Sequence, residues 1–123
     1  MRTLRLLALL ALSAGPAVAA PTTSSGRISV SQVMEMAQRA RSDAAARDTV
    51  IAYLAGVGET AGLMVSEAVA RGATPLKCTA SFTLSEETAL SALAAGAPDT
   101  ASWPETPATP IILADLFARA GCH

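Results

Sequence analysis

Cys78 and Cys122 are the only cysteines in the chain, and the second stands one residue before His123, the last. What such a pair does depends on the redox compartment, and the first residues speak to that. The opening "MRTLRLLALLALSAGPAVAAPTTSSG" sets Arg2 and Arg5 before a leucine and alanine run and then small residues at "AVA". That order predicts a secretory signal peptide over 1–19, cleaved near Ala19, since a cut one residue later would leave Pro21 first. The apolar run is shorter than the roughly 20 residues a membrane span requires. An exported, periplasmic protein is the expectation, and in an oxidising compartment two thiols of a small domain pair. A Cys78–Cys122 bridge would close a loop of about 45 residues, which the chain-entropy model values at roughly 4 kcal/mol. The alternatives are a metal site or a reactive thiol. Two cysteines with His123 could begin a zinc site, but no fourth ligand stands at a recognisable spacing, so neither metal nor cofactor is expected.

With Arg2 and Arg5 in the leader, acidic groups outnumber basic ones in the remainder, and no basic residues cluster. Nucleic acid and anionic lipid are therefore not expected as partners, nor is membrane insertion once the signal is removed. Tyr53, Phe82, Trp103 and Phe117 are the whole aromatic set, too few for stacking platforms that hold sugars or bases.

Residues 20–28 begin with the polar "APTTSSGR" and read as a disordered leader, and 29–123 as a single helical domain. In "ISVSQVMEMAQRARSD" Val30, Val33, Met34, Ala37 and Ala40 fall at helical spacing, and Ser29 with Gln32 fits a capping box. Asp43 is placed to cap a long second segment, in which Val50, Leu54, Val57, Ala61, Met64 or Val65, and Ala68 form one stripe up to Gly72. Asp48, Glu59 and Glu67 interrupt this segment, which argues for a core helix over a membrane span. Gly56, Gly58 and Gly62 each cost up to about 1 kcal/mol in a helix interior, so they imply a close neighbouring backbone, a kink or a break. Thr83 with Glu86 fits a capping box for a third helix, with Leu84, Leu90 and Leu93 inward and Gly96 and Pro98 ending it. After the proline-rich "DTASWPETPATP", Thr109 as cap and Pro110 at the first helical position open a last helix, "IILADLFARA", with Ile112, Leu113, Leu116 and Phe117 inward. The sum is an all-α fold, a small bundle of four helices, or five if the glycines divide the second, with one disulfide.

Catalytic signals are missing from this pattern. The lone histidine is terminal, which leaves no general base of the usual kind and no triad. Glu86 and Glu87 are adjacent, so on a helix they point about 100° apart and serve its first turn rather than one substrate atom. No enzyme is expected, and a binding protein remains. Trp103 either covers the edge of the core or anchors a protein partner, and is the candidate partner-binding residue.

The residues "AYLAGVGETAG", a cysteine some twenty positions on, a helix, a proline-bearing connection and the closing "PIILADLFARAGC" resemble the Rap/Tai-type immunity proteins. In that family a helix carries a tyrosine, a glycine three residues later and an acidic residue three beyond, which Tyr53, Gly56 and Glu59 match. Cys78 takes the place of the mid-chain cysteine, and Gly121 with Cys122 that of a closing proline and cysteine. The likeness runs from about residue 30 to 122. It implies a small helical periplasmic protein with a structural disulfide, often a homodimer, which binds and blocks a peptidoglycan-cleaving amidase delivered by type VI secretion. Loops at Ala73–Thr83 and Asp99–Thr109 are then the candidate surface. The alternative is a periplasmic chaperone of the acid-stress kind, or an envelope protein of another role.

Overall fold

The computed structural model describes residues 22–72 and 77–123. The predicted signal peptide lies outside them, as do residues 73–76 of the loop before Cys78. Four α-helices follow one another: α1 (Val30–Ala40), α2 (Ala44–Ala70), α3 (Glu86–Gly96) and α4 (Ala108–Arg119), with a 3-10 turn at Thr100–Ser102. Among the described residues the only sheet-like pairing is a single antiparallel bridge between Ser29 and Pro107. The fold is all-α, and Cys78 is bonded to Cys122.

α1 starts where Ser29 leaves the helix and its hydroxyl accepts the Gln32 N–H at 3.1 Å. Its first free amides are taken from outside the helix: Val30 donates to the Thr106 carbonyl and Ser31 to that of Trp103. Those donors would otherwise be orphans of the helix start. α1 then buries Val30, Val33, Ala37 and Ala40, and Met34 is half-buried at their margin.

Asp43 caps α2, its carboxylate accepting from Ala45 and Ala46. Arg47 reaches back across the corner to the Ala40 carbonyl at 3.0 Å, so the α1–α2 turn is closed by a side chain. α2 runs unbroken through Gly56, Gly58 and Gly62, and an added Cβ at any of the three would meet no atom within 4 Å. Neither the expected close neighbour nor the break is therefore present at these glycines among the described residues. The buried stripe also ends early. Ala46, Val50, Leu54, Val57 and Ala61 are in the core, but Met64 is 59% exposed and Val65 and Ala68 are only half-buried. By length and composition α2 could cross a membrane despite its acidic interruptions, and its fully buried positions lie in its first two thirds, up to Ala61.

Two helix starts differ from the sequence reading by two residues. α3 is capped by Ser85, not Thr83: Ser85 and Thr88 form the reciprocal capping box, with Glu86 and Glu87 in the first turn. α4 begins at Ala108, after Pro107, and Thr109 makes no cap because its hydroxyl is engaged by Tyr53. Pro110 thus falls at the third helical position, still within the first turn where a missing N–H costs nothing.

Residues 22–28, read as disordered, form a hydrogen-bonded turn on the bundle. Gly26 N–H donates to Thr23 and Thr23 N–H to Arg27, Thr23 is buried, and the Ile28 carbonyl accepts from Ala108. The polar side chains that suggested a tether instead close the turn on themselves, Thr23 Oγ1 accepting the Arg27 N–H at 3.0 Å. At the centre of the protein Leu93 from α3 and Ile112 and Leu116 from α4 are sealed under α1 and α2.

Candidate functional site

Of the two loops proposed as a binding surface, the described residues 77–83 are strapped to the α4 C-terminus, and residues 99–107 to the start of α1 and to Ser24 and Ala97. After the disulfide, residues 77–83 are tied to the α4 C-terminus by backbone. Lys77 and His123 exchange N–H···O bonds in both directions, and the Thr79 and Ala80 amides both donate to the Ala120 carbonyl. Further along, Phe82 packs edge-on against Phe117 with centroids 5.4 Å apart, and Arg119 donates to the Thr83 carbonyl at 2.9 Å while pairing with Asp115. Gly121 makes the reversal possible with φ +62°, which a residue with a Cβ adopts only at a cost. His123 is exposed, its Nδ1 3.1 Å from the Gly121 carbonyl.

Residues 99–107 are fixed with equal density. Asp99 caps the 3-10 turn through Ala101 N–H, and Trp103 Nε1 donates to the Ala97 carbonyl at 2.8 Å. Glu105 accepts from the Ser24 N–H, which holds its carboxyl below the usual range. Trp103 is half-buried against the core and also forms part of an open cleft of about 410 Å3 between α1 and α3, with Met34 and Leu90 beside it and Glu35, Arg41 and Glu86 among its charged groups. It therefore covers the core edge while one side of it lines the cleft.

The tyrosine, glycine and acid of α2 are not brought together as a set. Tyr53 donates or accepts at 2.9 Å with Thr109 of α4, and Gly56, one turn on, lines a groove of about 380 Å3 between the two helices with Thr60 and Leu113. Six residues turn a helix by about 600°, which leaves Glu59 roughly 120° from Tyr53, exposed and outside that groove. Burial raises the Tyr53 phenol above its ordinary value, and the Thr109 hydroxyl opposes this in part.

Sequence reasoning missed Thr109 as the partner of Tyr53 and Arg119 as the clamp on the 77–83 loop. No local pattern marks either, because each contact joins residues far apart along the chain. Among the described residues no three His, Cys, Asp or Glu side chains converge as metal ligands. The geometry defines a small disulfide-stapled helical protein in which residues 77–83 and 99–107 are hydrogen-bonded to neighbouring elements. Comparison with family models, curated proteins and solved structures returned no match.

Proposed function

We propose that this chain is a periplasmic binding protein that inhibits a secreted peptidoglycan-cleaving amidase. The observation that carries the reading is the pre-set 77–83 loop. One covalent bond, four backbone hydrogen bonds and the Arg119 clamp hold it before any partner arrives. A loop ordered in advance binds without the entropic cost of fixing it, which is what an inhibitor inserted into a cleft requires. The disulfide is compatible with an oxidising, exported location. The likeness to Rap/Tai-type proteins supplies the class of target.

The test is co-purification and inhibition. The chain, isolated from the envelope of a host expressing the full sequence, is mixed with a type VI secreted peptidoglycan amidase, and peptidoglycan cleavage is followed. Stoichiometric inhibition supports the reading. Full amidase activity in excess chain, together with protection of unrelated proteins from aggregation at low pH, replaces it with the chaperone reading.

A further inference from the structure

The cleft of about 410 Å3 between α1 and α3 carries its groups in a definite order. Trp103 stands at one end. Its carbonyl accepts the Ser31 N–H at the start of α1, and its indole N–H donates to the carbonyl of Ala97, just past α3. The start of α1 and the end of α3 therefore meet there, and the two helices run in opposite senses along the cleft. That places Arg41, the C-cap of α1, and Glu86, the first residue of α3, at the far end. Met34 and Leu90, both half-buried, line the stretch between. Glu35, one turn past Ser31, lies nearer Trp103, and the Ser31 hydroxyl donates to one of its oxygens at 2.9 Å, leaving the other open. Among the described residues neither the Arg41 guanidinium nor the Glu86 carboxylate has an ion-pair or hydrogen-bond partner.

We propose that this cleft binds a free basic α-amino acid, arginine or lysine. The lining carries two carboxylates and one guanidinium, and such a ligand carries two cations and one carboxylate, in the matching order. Its side-chain cation lies on the Trp103 ring, whose quadrupole attracts it, and against Glu35. Its methylene stem covers Met34 and Leu90, as long cationic side chains cover apolar surface elsewhere. Arg41 takes the α-carboxylate through its planar fork, and Glu86 takes the α-ammonium. Glu35 and Arg41 are six residues, about 9 Å, apart along α1, a span that a stem of three or four methylenes and the two flexible lining side chains cover together. An acidic amino acid would instead set its side-chain carboxylate against Glu35. The cleft volume falls at the small end of the roughly 300–1,000 Å3 typical of ligand sites, enough for one amino acid. Its charged groups are open to solvent, which sets a weak affinity, about millimolar. No residue of the 77–83 loop lines the cleft, so this inference goes beyond the inhibitor reading and does not rest on it.

Trp103 is the lone tryptophan, so it reports on the cleft directly. The chain isolated from the envelope of a host expressing the full sequence is titrated with L-arginine to about 50 mM, at an ionic strength held constant with sodium chloride. Trp103 fluorescence and the 1H–15N signal of its indole are followed together. Saturation with a Kd of about 1 mM is expected. Three analogues each remove one charge: L-citrulline the side-chain cation, argininamide the carboxylate and N-acetylarginine the ammonium. Each is expected to bind at least about threefold more weakly than arginine. Glu35→Gln is expected to erase the preference over citrulline, Arg41→Gln that over argininamide and Glu86→Gln that over N-acetylarginine, with helical circular dichroism unchanged. The proposal is overturned if neither signal saturates, if the analogues bind as well as arginine, or if the three variants keep the wild-type preferences. N-acetylargininamide binding as tightly as arginine also overturns it, and shows that the cleft takes a basic side chain of a protein partner instead.

Discussion

Gly72 and Gly121 share the same backbone conformation, φ +62°, and differ in what surrounds them. At Gly72 an added Cβ meets open space, whereas at Gly121 it overlaps the Thr79 hydroxyl, which itself donates to the Ala120 carbonyl. Gly72→Ala is expected to cost about 1–2 kcal/mol, the left-handed penalty alone, and Gly121→Ala more, since Thr79 must move and lose its bond. In thermal melts each kcal/mol corresponds to about 4–8 °C for a domain of this size, so Gly121→Ala should melt below Gly72→Ala. Tyr53 provides a second residue-scale outcome. Its phenol is raised in the folded protein, so its contribution is fully present below the ordinary tyrosine value and is lost as pH rises through the higher folded value. Wild type is therefore expected to lose stability in an alkaline step that tracks ultraviolet titration of the lone tyrosine. Tyr53→Phe should lack that step and be weaker by about 1 kcal/mol at neutral pH, for the bond to Thr109. Both glycine stops were legible in sequence, because glycine just past an apolar periodic run has one common use. The Tyr53–Thr109 contact was not, since it joins positions 56 residues apart.

Helix existence was legible at the next scale and helix starts were less so. The four apolar periodicities of the sequence correspond to the four helices, because burying one face requires residues at that spacing. The stretch "TLSEETA" offers two overlapping caps, Thr83 with Glu86 and Ser85 with Thr88, and local pattern cannot rank them. The Arg119 clamp on the Thr83 carbonyl keeps residue 83 in the strapped loop, so the helix starts two residues later. Ser85→Ala is accordingly expected to destabilise by about 1 kcal/mol, and Thr83→Ala by only a few tenths, read as urea midpoints. α4 shows the same override: Ala108 N–H goes to Ile28 and Thr109 to Tyr53, so tertiary partners fix the start that Thr109 and Pro110 suggested elsewhere. The end of the α2 stripe was illegible for a related reason. Of the alternatives Met64 and Val65, Met64 is 59% exposed while Val65 and then Ala68 carry the stripe on half-buried, which spacing alone does not distinguish.

Across the whole molecule the disulfide joins positions separated by 44 residues and gathers several weaker contacts around itself. The Lys77–His123 pair, the two bonds to the Ala120 carbonyl and the Phe82–Phe117 contact all lie within a few residues of it. They join the 77–83 segment to the C-terminal end of α4, two of them on its C-cap residue Ala120, and none reaches α1 or α2, so the bridge holds these two chain segments in register. The α1–α2 pair, by contrast, is closed by Asp43, by Arg47 on the Ala40 carbonyl and by buried Val30, Val33, Val50 and Leu54. Reduction should therefore act unevenly. In hydrogen exchange the amides of Lys77, Thr79, Ala80 and His123 are expected to lose protection first, while those of α1 and the first half of α2 keep theirs under conditions short of global unfolding. The paired Cys78→Ser and Cys122→Ser variant should lower global stability by up to about 4 kcal/mol, the loop-closure value, and show the same local pattern. Equal loss of protection in α1 and in residues 77–80 would show instead that the bridge supports the core as a whole. Because the strapped loop carries the proposed inhibitory surface, the same variant at a temperature where it remains helical is expected to bind its target more weakly.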